Sequence, residues 1–222
     1  DMRRNFNKVI NLNPSTELKG SVNISNNINE SSFNEDYFKA GETYGVIEML
    51  PGEIITEHGE VKGEDVPKLL ASGELCMISV VERHHATGYR GLGLIRGYGL
   101  KEGACATTVG HDSHNMLVVG NNAHDMFIAL QELVRCQGGY TLIKDGMVLD
   151  SLPLDICGLM SSLPAKELCQ KLDEITKKAY SLGINKTIDP FVTLSFMALP
   201  VIPKLRITDM GLFDAEKFTF IK

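Results

Sequence analysis

The stretch Cys76-Met77-Ile78-Ser79-Val80-Val81 carries an apolar side chain at nearly every position. A strand turns successive side chains to opposite faces, so a run without alternation has to bury both faces. A sheet built on this segment needs a covering layer on each side. A chain of 222 residues suffices for one such domain, or for one domain with an appended arm. The covering layers are legible nearby. Met126, Ile128, Ala129, Leu130, Leu133 and Val134 recur at helical spacing between Ala123 and Cys136. Asn121 or Asn122 stands where an N-cap belongs, and Gly138-Gly139 stops the run. Ser162-Leu163-Pro164 opens a second helix that reaches about Ser181 and stops at Gly183. Asp189-Pro190 opens a third, from Phe191 to Leu199, which Pro200 ends.

Further strands are expected over residues 44–50 and 53–57, as a hairpin around Pro51-Gly52, and over residues 104–109 and 116–120. Residues 140–144 and 147–150 flank Asp145-Gly146, a pair that supplies the positive φ a two-residue hairpin turn needs. Residues 62–73 read as a polar connection with room for one helical turn, and residues 201–222 as a proline-constrained, otherwise irregular tail. Strands and helices mix without internal repeat or regular βαβ alternation. The fold class is therefore α+β: a mixed β-sheet with β-hairpins, covered by three or so α-helices. Residues 1–40, rich in Asn, Ser and Glu, are expected to be a polar arm or a connection to another part, and residues 41–222 the domain proper.

Composition narrows the partners. The net charge of −6 repels phosphate backbones, and no basic patch offsets it, so nucleic acid is not an expected partner. No apolar run reaches the roughly 18 residues of a membrane span. The basic pair Arg3-Arg4 has no apolar stretch behind it, so a secretory signal is not expected, no membrane partner is, and the reading points to the cytoplasm. Five cysteines (Cys76, Cys105, Cys136, Cys157, Cys169) form no C-x-x-C pair, and are expected reduced and mostly buried. A zinc ribbon or a disulfide framework is not.

Two polar clusters interrupt the apolar strands. Glu82-Arg83-His84-His85 follows the strand of residues 76–81, and His111-Asp112-Ser113-His114-Asn115 lies between residues 104–109 and 116–120. If those strands are neighbours, both clusters emerge at one edge. There they offer imidazoles, carboxylates and a guanidinium that suit metal binding, proton transfer or the gripping of a heterocycle by its ring nitrogens. The same Asp, Ser and Asn residues also bond backbone amides and shape turns. H-x-x-H on a loop is a weak metal pattern, and adjacent His84 and His85 point to opposite faces of a strand. In Gly91-Leu92-Gly93-Leu94-Ile95-Arg96-Gly97 the third glycine falls one position late for a dinucleotide loop, which favours close packing. Ser113 lacks the G-x-S-x-G surroundings of a hydrolase nucleophile. His58 and His124 read as surface residues and the methionines as core filler.

Several of these segments together resemble the C-terminal region of adenine deaminases. They are Val80-Val81-Glu82-Arg83-His84-His85-Ala86-Thr87-Gly88, Gly91-Leu92-Gly93, Gly97-Tyr98-Gly99-Leu100, and Val109-Gly110-His111-Asp112-Ser113-His114-Asn115. Pro51-Gly52-Glu53-Ile54-Ile55-Thr56, Leu152-Pro153-Leu154 with Gly158-Leu159-Met160-Ser161, and Asp189-Pro190-Phe191-Val192-Thr193-Leu194-Ser195-Phe196 agree as well, so the resemblance runs from about residue 40 to 214. It implies a part of an amidohydrolase that converts adenine and water to hypoxanthine and ammonia. In that family a binuclear manganese or iron centre in a barrel activates the water. The barrel's H-x-H pair is missing from these residues, which also leave no room for a barrel of about 250 residues. The metal is therefore expected mainly in a separate barrel, with none assigned to this chain, and the chain alone is expected to be inactive. The resemblance leaves two roles open. As a cap on the barrel, the chain would turn His111, Asp112 and His114 to catalysis and Glu82, Arg83, His84, Ser113 and Asn115 to the purine. As an assembly module, it would pack against the barrel and further copies without catalytic residues. The partners expected are its own barrel, adenine and other subunits.

Overall fold

The structure, a computed structural model, describes residues 20–221. In chain order the elements are β1 (Thr43–Met49), β2 (Thr56–Lys62), α1 (Val66–Ser72), β3 (Leu75–Val81), β4 (Arg90–Arg96), β5 (Ala104–Thr107) and β6 (Met116–Gly120). They continue with α2 (Ala123–Cys136), β7 (Gly139–Lys144), β8 (Met147–Pro153), α3 (Ala165–Ser181), α4 (Pro190–Met197), β9 (Leu205–Thr208), β10 (Gly211–Asp214) and β11 (Thr219–Ile221). Strands β1 to β8 form one sheet in the order β2-β1-β4-β3-β6-β5-β7-β8, and β11-β10-β9 form a second, smaller one. The pairing is antiparallel except where β1 lies parallel to β4. The α+β class thus holds, with four α-helices among the described residues.

Strand β3 sits inside the large sheet, and its side chains divide between two cores. Leu75, Met77 and Val81 face Val66 and Leu70 of α1 and Met126, Ala129, Leu130 and Leu133 of α2. Cys76, Ile78 and Val80 face Ile175 and Ala179 of α3, Phe191 and Leu194 of α4, and Leu205 and Ile207 of β9. Burying one such aliphatic side chain is worth about 1.5–3 kcal/mol, so β3 tolerates a polar replacement on neither face. Its one polar residue, Ser79, donates to the Gly91 carbonyl at 2.6 Å.

The helices begin where their caps dictate. Asn122 Oδ1 accepts the Asp125 N–H at 2.8 Å and starts α2, and Asp189 Oδ1 accepts the N–H groups of Phe191 and Val192 and starts α4. Asp145 and Gly146, both at positive φ, make the turn between β7 and β8. Gly91 and Gly93 lie inside β4 and not on a strand-to-helix turn. A Cβ on Gly91 would come within 2.0 Å of the Thr208 carbonyl, so glycine there lets the small sheet approach the large one.

Four expectations need correcting. The tail is not irregular, since residues 205–221 form β9, β10 and β11. Their alternation is too short to register against the prolines before them. The return strand of the first hairpin starts at Thr56, not at residue 53, because the tail captures the intervening turn. Thr56 donates its N–H to the Pro203 carbonyl, and Arg206 Nη2 donates to the Ile54 carbonyl at 2.7 Å. Residues 62–73 hold a 3-10 turn and α1. The cysteines are all free, but only Cys76 and Cys105 are fully buried, where burial pushes their thiols up to about 12.

Residues 20–40, expected in a polar arm, lie on the domain. Val22, Ile28, Phe33 and Phe38 are buried in the core that α2 covers, and Gln137 at the end of α2 brackets Val22 through its carbonyl and its N–H. Residues 1–19 of that expected arm lie outside the described residues. No described helix is long and apolar enough to cross a membrane.

Candidate functional site

Strands β3 and β6 are antiparallel neighbours, with Val81 opposite Met116. The segment leaving β3 and the segment entering β6 therefore emerge at the same end of the sheet, and the two polar clusters meet there.

The side chains of Glu82 and Arg83 turn inward. One carboxylate oxygen of Glu82 accepts the N–H groups of His84 and, at 2.7 Å, His85. The other accepts the N–H and hydroxyl of Thr87, both at 2.9 Å. Burial raises this carboxyl's pKa, but the donors from Thr87, His85 and His84 outweigh it and hold the pKa at about 2. Arg83 is 1% exposed. Its Nε donates to the His114 carbonyl, Nη1 to the carbonyl and hydroxyl of Ser21, and Nη2 to the Cys157 carbonyl at 2.9 Å. One planar guanidinium thus ties three separate segments together. A Cβ on Gly158, at φ +71°, would lie 2.9 Å from Arg83 Nη1, so glycine leaves room for the guanidinium.

The histidines occupy the outer layer. His84 is exposed, and its Nε2 lies 2.7 Å from the Ser113 carbonyl, which only accepts, so this nitrogen carries the proton. The His111 N–H donates to the Ser195 carbonyl of α4 at 3.1 Å. Its ring packs on Phe196 at 5.1 Å and lies 6.1 Å from the His114 ring. His114 sits at φ 51° and donates its N–H to the Gly110 carbonyl at 2.6 Å. Its Nδ1 is buried without a partner among the described residues. Burial first, then the neighbouring His111 and Arg83, push the His114 pKa below its ordinary value, so the ring is neutral at pH 7. Asp112 and Ser113 are exposed at the tip of the loop. Asn115 is buried, its N–H faces the Ser113 hydroxyl at 3.4 Å, and its Oδ1 has no partner.

Of the eight residues singled out from sequence, His84, His111, Asp112, Ser113 and His114 lie together on the loop surface, and Glu82, Arg83 and Asn115 lie beneath them. Sequence reasoning missed Ser195 and Phe196, which anchor the loop from α4 across the chain. Their only signal was their place in the Asp189–Phe196 segment. Phe196 also walls a groove of about 110 Å³, together with Glu53, Ile54, Val192, Thr193 and Met197. Among the described residues no group of three or more His, Cys, Asp or Glu side chains is placed to hold a metal ion.

Comparison with known proteins follows the same residues. The family model described as "Adenine deaminase C-terminal domain" matches residues 53–219. A protein named adenine deaminase from Halalkalibacterium halodurans is 44% identical over 188 residues, covering 82% of this chain and 32% of that protein. One of the same name from Dehalococcoides mccartyi is 48% identical over 179 residues, 79% of this chain and 31% of its own length. A third, from Petrotoga mobilis, is 42% identical over 208 residues, 89% of this chain and 35% of its own length. The chain therefore spans about a third of the relatives it matches.

Proposed function

Because the chain belongs to the family of adenine deaminase C-terminal domains, we propose that it completes an adenine-hydrolysing enzyme whose metal-bearing portion lies in the rest of the relatives' length. In this reading the loop carrying His111, Asp112, Ser113 and His114 closes over the bound purine, with His84 at its side. Water adds at the ring carbon that bears the amine, and that carbon–nitrogen bond breaks to release ammonia and leave hypoxanthine. The activated water would come from a manganese or iron centre held in the catalytic portion. Among the described residues no three His, Cys, Asp or Glu side chains are grouped to hold a metal, and both Glu82 oxygens are taken up by backbone N–H groups and the Thr87 hydroxyl. What this chain contributes is donors and acceptors aimed at a small heterocycle, and the exclusion of bulk water that strengthens them.

The observation that carries the reading is His114. Its Nδ1 is buried and has no partner among the described residues, and a buried polar atom without a partner is costly unless a ligand or a neighbouring surface satisfies it. An assembly role is the second reading, favoured by the wholly internal bonding of Glu82 and Arg83. Adenine turnover separates the two. The chain alone should release no ammonia, and the chain mixed with the remaining part of the Halalkalibacterium halodurans relative should. His111→Ala and Asp112→Asn should then lower turnover about 100-fold or more, the range of a positioned acid–base group. Unchanged turnover in both variants would leave the assembly role.

A further inference from the structure

Arg206 on β9 is fully buried, and no carboxylate pairs with it among the described residues. Its donors go to neutral oxygens: Nη1 to the Thr56 hydroxyl and the Leu205 carbonyl, Nη2 to the carbonyls of Ile54 and Pro203, while Nε has no partner among the described residues. A buried guanidinium without a counter-ion is expensive to maintain. Its bonds hold the turn between β1 and β2 against the chain entering β9. The turn so fixed presents Ile54 and Ile55 to solvent, at 53% and 41% exposure, opposite Val192 of α4 at 49%. Ile54 and Val192 line the same groove, together with Glu53, Phe196 and Met197. An isolated domain gains nothing from holding aliphatic side chains outward at that cost.

We propose that the groove between the β1–β2 turn and α4 is the surface on which the catalytic portion of the deaminase docks, inserting an apolar side chain between Ile54, Val192 and Phe196. The proposal rests on the reading given under Proposed function. Two observations select this occupant. The matched relatives are about three times as long as the matched region, so a large part of each adjoins a domain like this one. The groove is also continuous with the candidate site, since Phe196 walls the groove on one side and packs against the His111 ring on the other. A partner seated there brings its own surface up to His111 and His114. Of the other exposed apolar side chains, Met147, Val148 and Leu149 lie on the edge strand β8, and Met210, Phe218 and Phe220 lie in or beside the small sheet, and none of them belongs to the site.

The experiment co-expresses the tagged chain with the remaining part of the Halalkalibacterium halodurans relative, measures affinity between the two, and assays adenine turnover in the same mixtures. Ile54→Asp and Val192→Asp each place a charge in the groove, and Met147→Asp places one on the β8 edge. All three positions are exposed, so thermal unfolding of the chain should be unchanged, and a variant that fails this control is replaced by Ile54→Ser or Val192→Ser. Binding by the wild-type chain, weakened about 30-fold or more by the groove variants and unaltered by Met147→Asp, is the expected result. Absence of wild-type binding, equal binding by all variants, or loss confined to Met147→Asp would overturn the proposal. So would sedimentation showing that the groove variants dissolve a self-associated dimer of the chain and leave binding to the partner intact. Turnover distinguishes the two readings: groove-dependent binding without deamination keeps the docking surface and removes the deaminase role, and deamination that survives the groove variants does the reverse.

Discussion

Residues 82–83, which leave β3, and residues 111–114, which lead into its neighbour β6, lie at the same end of the sheet with similar polar side chains, and the fold puts them to opposite uses. Glu82 and Arg83 bond almost wholly to backbone: Glu82 closes the turn that follows β3, and Arg83 joins the His114, Ser21 and Cys157 segments. His84, His111, Asp112 and His114 keep their side-chain chemistry at or near the surface. A loop that exposes such groups has little apolar surface of its own to hold it, so its shape has to be fixed from below. Here the scaffold is ionic, because a carboxylate and a guanidinium each meet several backbone groups at once. Charge in the inner layer is structural, and the outer layer leaves most of its polar side chains at the surface.

Removing Arg83 tests that division most severely. Arg83→Met keeps the stem and deletes the donors, leaving carbonyls of His114, Cys157 and Ser21 unmatched under the loop. At about 1–3 kcal/mol for each buried group left unsatisfied, the domain should lose about 3 kcal/mol or more, read from the urea midpoint. Arg83→Lys should recover only part, since an ammonium has no fork to span three segments. A midpoint within about 0.5 kcal/mol of wild type would mean that the loop holds itself and the inner layer is dispensable.

Glu82→Gln should be milder and should carry a pH signature. The folded pKa of about 2 lies below the unfolded carboxylate value of about 4.3. The unfolded chain therefore binds the proton first, and the stability Glu82 supplies is full above about pH 5 and fades as pH falls through 4 toward 2. The variant should be less stable than wild type by about 1–3 kcal/mol at pH 7, the worth of hydrogen bonds to a charged group, and the gap should close toward pH 2. Glu132, held at about 2 chiefly by its hydrogen bond from Arg135, keeps its own share of acid sensitivity in both proteins. A gap that is constant from pH 7 to pH 2 would show that the Glu82 contacts do not depend on its charge.

How much of this was legible in the sequence follows the same line. The doubly buried β3, the Asn122-capped α2 and the Asp145-Gly146 hairpin each rest on local signals. The meeting of the two clusters followed from strand adjacency alone, because β3 and β6 run antiparallel. The direction in which Glu82 and Arg83 point was not legible. A carboxylate ahead of His84-His85-Ala86-Thr87-Gly88 turns inward only because that turn, with Ala86 and Gly88 at positive φ, leaves several N–H groups without acceptors. The β1–β2 turn escaped for a related reason, since it is held by bonds from Arg206, about 150 positions away, whereas the small sheet pairs locally and escaped because its strands are short. Long-range bonds from a single buried side chain leave no periodic trace.

The smallest expected effect concerns the outer layer itself. The His114 ring, followed by NMR through its carbon-bound protons, should titrate with a midpoint below the ordinary 6.5, because burial and the neighbouring His111 and Arg83 disfavour its protonated form. The unfolded chain then takes up this proton at higher pH than the folded one, so His114 favours the folded state above about pH 6.5 and opposes it as pH falls. His111→Ala removes the second of those causes and leaves burial in place, so the midpoint should rise toward 6.5 without reaching it. A wild-type midpoint at or above 6.5 would mean that the loop opens to water and that His114 Nδ1 finds a partner in solvent. The contrast between a fixed inner layer and a poised outer one would then reduce to a contrast between a fixed layer and a mobile one.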